Sequence, residues 1–388
     1  MPVSARIGGI DFWRGAVLIA ILIDHIPGNL LEHLTPRNFG LSDSAEAFVF
    51  LSGLSAGAVY LRRAERDGLM SIVKSCARRA LKLYGVHIGL TAAALLLFAA
   101  IAALTGAVEL IEPHGRALVF QSPGTGAAAI LALTHQLGYF NILPLYVVMM
   151  LMTPPVVALA IRGPVLALLA SASVYGLARA YSLNLPSSPD PGGWFFNPFA
   201  WQLIFTAGVV AAKFASARRP AIHPALVAAS VAIALAGAAI VTDGFGQAPG
   251  LRITAEGFGD FGKQNLGLAR LINFAALAYL ALAASRTTGL VEGRVGAALQ
   301  RLGRHSLSVF AAGSLLSAAG QAGLTVASKS APAEVAGLLG LGYTLFSVIL
   351  LLYLAHRLEC DRHPPHSGED FAAPRSRPLL SWRPSLAR

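Results

Sequence analysis

Ten apolar runs constrain this 388-residue chain more than any other feature. They lie near 10–30, 44–61, 84–106, 139–161, 163–182, 199–216, 221–241, 267–285, 305–326 and 334–355. Each has about the 20 residues that an α-helix needs to cross a hydrocarbon core of roughly 30 Å. Backbone N–H and C=O groups in hydrocarbon must be satisfied within the segment itself, so a series of such runs specifies an all-α, polytopic integral membrane fold of about ten transmembrane helices. Only 13% of residues are charged, against about a quarter in soluble proteins, which excludes an ordinary soluble domain. The net charge of +11 lies between spans and at the C-terminus. That distribution suits an anionic bilayer surface and gives no reason to invoke nucleic acid.

Lysine and arginine set the orientation. With the N-terminus inside, the inner segments hold 22 of them and the outer loops five, namely Arg37, Arg116, Arg252, Lys263 and Lys329. This bias places both termini in the cytoplasm. Residues 1–360 therefore read as one transmembrane domain, and 361–388 as a polar, basic, disordered tail. The first span has neither a strong basic run before it nor a small-residue cleavage site after it, so it reads as retained. Cys76 and Cys360 fall in inner basic segments where thiols stay reduced, so no disulfide or metal framework is implied.

Between the spans, 62–82 is basic with interleaved apolar positions and reads as an interfacial amphipathic helix. The outer loop 107–138 contains Ser122-Pro-Gly-Thr-Gly126 and reads as a re-entrant or surface helix lining an outer cavity. Residues 184–202 are dense in proline and aromatics, with Trp194, Phe195, Phe196 and Trp201 forming either an interfacial belt or a sugar-stacking surface. The glycine-rich loop through Gly262 lacks the strand and helix of a nucleotide loop.

The first span carries Asp11, Arg14 and His25 on nearly one face, because eleven steps of about 100° return to the same side roughly 16 Å further along the axis. Ionisable groups are costly in hydrocarbon and mark functional paths. The blander reading puts Asp11 and Arg14 at headgroup level and makes His25 a hydrogen-bonded interior histidine. A short loop joins spans one and two, so His25, Arg37, Asn38, Asp43 and Glu46 are expected to share an outward-opening pocket. There a histidine beside a carboxylate can serve as general base, with Glu46, or less well Asp24, as its partner. Asp43 reads equally as an N-cap. Gly53 and Gly57 beside Ser52 form a small-residue face for close helix packing. On the inner side, Lys74, Arg78, Arg79 and Lys82, with Arg301, Arg304 and His305, are basic as topology demands and also suit phosphates. His135, Gln136, Tyr139, Asn141 and Tyr146 collect around the outer start of the fourth span, with Pro144 in its first turn.

Several of these stretches resemble a known family. Asp-x-x-Arg-Gly at 11–15, with ten residues between Arg14 and His25, resembles the R-x10-H signature of the acyltransferase-3 membrane acyltransferases. Ala45-Glu-Ala-Phe-Val-Phe-Leu-Ser-Gly-Leu54 resembles their second-span motif, with Glu46 for a usual aspartate and Leu54 for a usual aromatic. Residues 76–85 resemble their basic segment, with Gly85 where proline is common, and 302–310 resemble their late-span motif. Asp24-His-Ile-Pro-Gly-Asn29, the stretch 37–53, Asn141-Ile-Leu-Pro-Leu-Tyr146 and Asn197-Pro-Phe-Ala-Trp-Gln202 are closer to one branch, the OpgC family, associated with succinylation of osmoregulated periplasmic glucans.

The resemblance implies a multi-pass protein of the bacterial inner membrane that moves an acyl group from acyl-CoA, with succinyl-CoA the implied donor, to a periplasmic glucan or other glycan. No permanently bound cofactor is implied. His25 would act as general base or carry the acyl group, Arg14 would orient the donor, and Glu46 or Asp24 would orient the imidazole. Arg14, Lys74, Arg78, Arg79, Lys82 and Arg304 would bind acyl-CoA. Arg37, Asn38, Asp43, His135, Asn141, Trp194, Trp201 and Gln202 would bind the acceptor. A homo-oligomer stays open. The competing readings are a secondary transporter of a small anion or glycan, which would use buried ionisable residues along a path but often shows internal repeats that are absent here, and a non-catalytic scaffold.

Overall fold

In the computed structural model, residues 3–189, 191–217, 221–242 and 260–362 are described. The loop 243–259, the basic residues Arg218, Arg219 and Arg252, and the tail beyond 362 lie outside them. Among the described residues the regular structure is helical. The ten expected spans correspond to α1 (Val3–Asp24), α2 (Ser44–Asp67), α3 (Leu69–Thr105), α6 (Ile142–Arg162), α7 (Pro164–Ala180), α8 (Pro198–Ala217), α9 (Pro224–Val241), α10 (Leu268–Thr287), α12 (Ser306–Ala327) and α13 (Ala333–Arg362). Two short helices, α4 (Arg116–Gln121) and α5 (Pro123–Leu131), fill the long loop before α6, and α11 (Gly293–Arg304) precedes α12.

Eight of these helices are long and apolar enough to cross a membrane on length and composition alone. The other two expected spans fall short for physical reasons. Helix α1 is interrupted by Asp11, Arg14 and Asp24, and α7 has 17 residues. The chain is a multi-pass, all-α membrane protein.

One local expectation changes, and two segments gain detail. The basic segment 62–82 is not a separate interfacial helix. Gly68, at φ 80°, breaks the chain between α2 and α3, and the basic residues ride on the inner ends of those two helices. Helix α3 has 37 residues and so runs about 55 Å, well past a core of roughly 30 Å. The residues before α12 form the amphipathic α11, with Val295, Ala298, Leu299 and Leu302 at helical spacing. The long outer loop holds two helices, with Pro123 in the first turn of α5.

Helix α1 is packed on α2, α11, α12 and α13, and α2 packs on α8. These crossings are close because glycines face backbone. A Cβ on Gly15 would come 2.0 Å from the Leu299 carbonyl oxygen, and one on Gly303 1.9 Å from that of Asp11. On the other side of the bundle, Gly53 meets the Phe205 carbonyl and Gly208 meets that of Phe50 in the same way. The small-residue face expected on the second span is therefore the α2–α8 seam, with Gly57 continuing it against Val209 and Ala212.

Candidate functional site

The two glycine contacts of α1 fix its polar side chains. With α11 drawn against Asp11 and Gly15, the start of α12 lies beside Arg14, whose Nη2 donates to the Ser306 hydroxyl at 2.7 Å. Asp11 lies one turn away, 3.8 Å from Arg14 Nη1. The Nε of Arg14 is buried and has no hydrogen-bond partner. Buried donors of this kind are rare and call for an acceptor.

Arg14 opens on a cavity of about 230 Å3 lined also by Tyr60, Arg79, Ser52, Tyr146, Ser306 and Phe310. Val59, which is 58% exposed, lies on its wall. Tyr146 is kept in place by the Ser52 hydroxyl at 3.1 Å and by the edge of Phe48 at 5.3 Å. Of the expected donor-binding residues, Arg14 and Arg79 line this cavity, while Lys74, Arg78 and Lys82 are exposed on α3 around its inner side. Arg304 is engaged elsewhere. Its guanidinium pairs with Glu359 on α13 at 3.1 Å, and the same carboxylate holds His305 Nε2 at 2.7 Å.

His25 follows the last residue of α1 and faces a separate void of about 10 Å3, room for roughly one water. Leu18, Ile21, Leu22, Gly313, Ser314 and Ser317 line it together with Phe310. Phe310 is thus a wall common to both spaces. The His25 carbonyl accepts from Gln321 Nε2 at 3.0 Å, which ties this turn to α12. The imidazole itself rests against the Tyr139 ring, with centroids 4.7 Å apart.

The pairing of His25 with a carboxylate is not found. Glu46 is fully buried and already engaged: Arg270 donates to its Oε1 (Nε at 2.7 Å), and the Asp43 N–H donates to its Oε2 at 2.9 Å. Asp24 accepts from the Thr35 hydroxyl at 2.5 Å, in line with the poor geometry expected of an adjacent residue. Asp43 is the N-cap of α2, accepting from Ala45 N–H and completing a capping box with Glu46, an arrangement worth about 1 kcal/mol. It also pairs with Lys263 at 2.5 Å and Arg270 at 3.1 Å. Burial alone would raise the Asp43 carboxyl, but Lys263 and then Arg270 override it and hold it at about 2. The cluster braces the outer end of α2 against α10.

The remaining expected acceptor residues divide. Arg37 is exposed and reaches the Asp24 carbonyl at 3.5 Å, and Asn38 donates to the Glu32 carbonyl at 2.5 Å. His135 is buried between the Ser188 and Gly115 carbonyls, at 2.9 and 2.7 Å, so both ring nitrogens are occupied. Asn141 precedes α6 without capping it. Trp194, Phe196 and Trp201 form neither a belt nor a stacking face. They are buried, with Trp201 Nε1 donating to Lys263 and Gln264 carbonyls and Phe196 edge-on to its ring at 4.8 Å. Gln202 is locked to Ser171. These side chains face inward because the 260–267 segment folds over them, a contact that no local pattern announces. Phe195 alone of that group is 47% exposed.

Residues missed from sequence include Ser306, Tyr60, Phe310 and His114. Ser306 and Phe310 sit in the late-span motif and were within reach. His114 was not, since nothing marks a loop histidine. Its ring lies tilted against that of Tyr139, centroids 4.9 Å apart. Both residues have left-handed backbone, at φ 58° and 71°, a conformation that costs non-glycine residues about 1–3 kcal/mol and gathers at functional sites.

The model of the family described as OpgC protein matches residues 6–357. Searches among curated proteins and among solved structures return no match.

Proposed function

The chain belongs to the OpgC protein family, and from that membership and the two spaces on α1 we propose a membrane O-acyltransferase. It moves an acyl group, succinyl in the first instance, from cytoplasmic acyl-CoA to a hydroxyl of a periplasmic glucan. The family match supports a glucan-succinylation role at the membrane. The donor and the inner-membrane location are our reading, supported by the charge bias between faces.

One observation carries the reading: a single helix presents Arg14 to the inner cavity and His25 to the outer void, with Phe310 between them. The exposed cations of α3 suit the phosphates of the donor. The buried Arg14 Nε, lacking an acceptor, suits a carbonyl on the arm that enters the cavity. His25 takes the proton of the acceptor hydroxyl as its oxygen attacks the thioester carbon. The new C–O bond forms, the C–S bond breaks, and the departing thiolate takes the proton. In the variant route His25 attacks first, and the glucan oxygen then displaces it.

Purified protein supplied with succinyl-CoA and a glucan tests this. Free thiol and acylated sugar should appear together, and His25→Ala should abolish both while leaving the protein folded in detergent. Full activity in that variant would overturn the mechanism. Movement of glucan or anion across a vesicle without thioester loss would establish a transporter instead.

A further inference from the structure

We infer that His114 and Tyr139 form the acceptor subsite, a stacking platform for a neutral sugar ring directly outside His25. The inference rests on the acyl-transfer reading and names where its acceptor is held. Tyr139, which is partly buried, meets two other rings at a tilt: the exposed His114 and the partly buried His25, with centroids 4.9 and 4.7 Å from its own.

The platform is held by main chain and not by its own polar tips. Gly138 N–H donates to the His114 carbonyl at 2.9 Å, and a Cβ at position 138 would stand 2.9 Å from the His114 Cβ. The neighbouring Gly115 carbonyl is anchored by His135. Both ring-bearing residues hold left-handed backbone, which side chains of this size seldom adopt. No hydrogen bond engages the Tyr139 hydroxyl or the His114 ring nitrogens among the described residues. Burial, and then Arg116, hold His114 below the ordinary histidine value.

Aromatic faces of this kind match the C–H face of a pyranose, and the free hydroxyl and ring nitrogens can bond its hydroxyls. A sugar seated there would have a hydroxyl beside the imidazole that is to deprotonate it. The tryptophans expected in this role point inward, whereas Tyr139 touches His25 and His114 touches Tyr139.

The test is calorimetric binding of a linear gluco-oligosaccharide to the full chain in detergent. Asparagine tolerates left-handed backbone, so His114→Asn and Tyr139→Asn remove each ring with the loop kept. Each should weaken binding by about tenfold, and Tyr139→Phe should retain most of it. Absence of binding by the wild type, or unchanged affinity in both asparagine variants, would overturn the subsite. Sugar binding without thioester consumption would defeat the acyl-transfer reading and leave the subsite standing. Thiol release to water that persists when His114→Asn abolishes transfer would support it from the other side.

Discussion

Phe310 stacks on Phe48, with centroids 5.8 Å apart and ring planes 19° from parallel. Both rings are buried, and Phe310 lines both the Arg14 cavity and the void at His25. On the acyl-transfer reading, an acyl group that passes from one space to the other meets this ring. Phe310→Leu should therefore ease passage and raise release of free thiol to water relative to transfer. Comparing thiol release with and without glucan checks the ratio. Phe310→Ala should show a larger leak, at a stability cost of about 3–5 kcal/mol.

Arg14 is a partly buried guanidinium with one hydrogen bond to Ser306 and, among the described residues, a buried Nε that has no acceptor. Lysine keeps the charge but not the planar fork. Arg14→Lys should raise KM for acyl-CoA by about tenfold or more, since hydrogen bonds to charged groups contribute about 1.5–3 kcal/mol. The KM for glucan should stay near that of the wild type, as measured by varying one substrate at a time.

The outer brace has a pH signature. Asp43 is depressed from an ordinary 3.8 to about 2 by Lys263 and Arg270 acting against burial. A depressed carboxyl contributes stability that is present above its unfolded value and lost as pH falls through its folded one. Thermal unfolding in detergent should thus fall between roughly pH 4 and 2, and Asp43→Asn should flatten that step.

Arg270 supports the same brace from α10. Its removal leaves Glu46 buried without a cation, a loss of about 3–5 kcal/mol in comparable buried pairs. Arg270→Ala should accordingly lower the melting temperature more than Arg37→Ala, whose guanidinium is exposed. Equal shifts in a thermal melt would refute this ranking.

The glycine seams make a steric prediction. Gly303→Ala puts a methyl where the Asp11 carbonyl oxygen stands, and the helices must separate. Overpacking of this kind costs about 1–3 kcal/mol. Arg14 should lose Ser306 as well, so activity should fall further than the melting temperature implies. Gly85→Ala, which meets nothing within 4 Å, is the matched control.

What the sequence determined by itself was whatever depends on period and solvent. The spans followed from apolar runs, the N-cap at Asp43 from residue type, and the placement of Arg14 and His25 along one stretch from helix rise. Each is a local or one-dimensional property. Partner choice is not. Glu46 was expected to face His25 and instead meets Arg270, 224 residues away. Trp201 and Gln202 were expected to meet a sugar and are buried by segments far along the chain. Arg304 was expected to meet phosphate and meets Glu359. The burial of Phe310 between two spaces and the seating of His114 on Tyr139 depend on how helices and loops cross. Only the tertiary structure decides these, because a side chain's partner is set by which surfaces the packed backbone brings together.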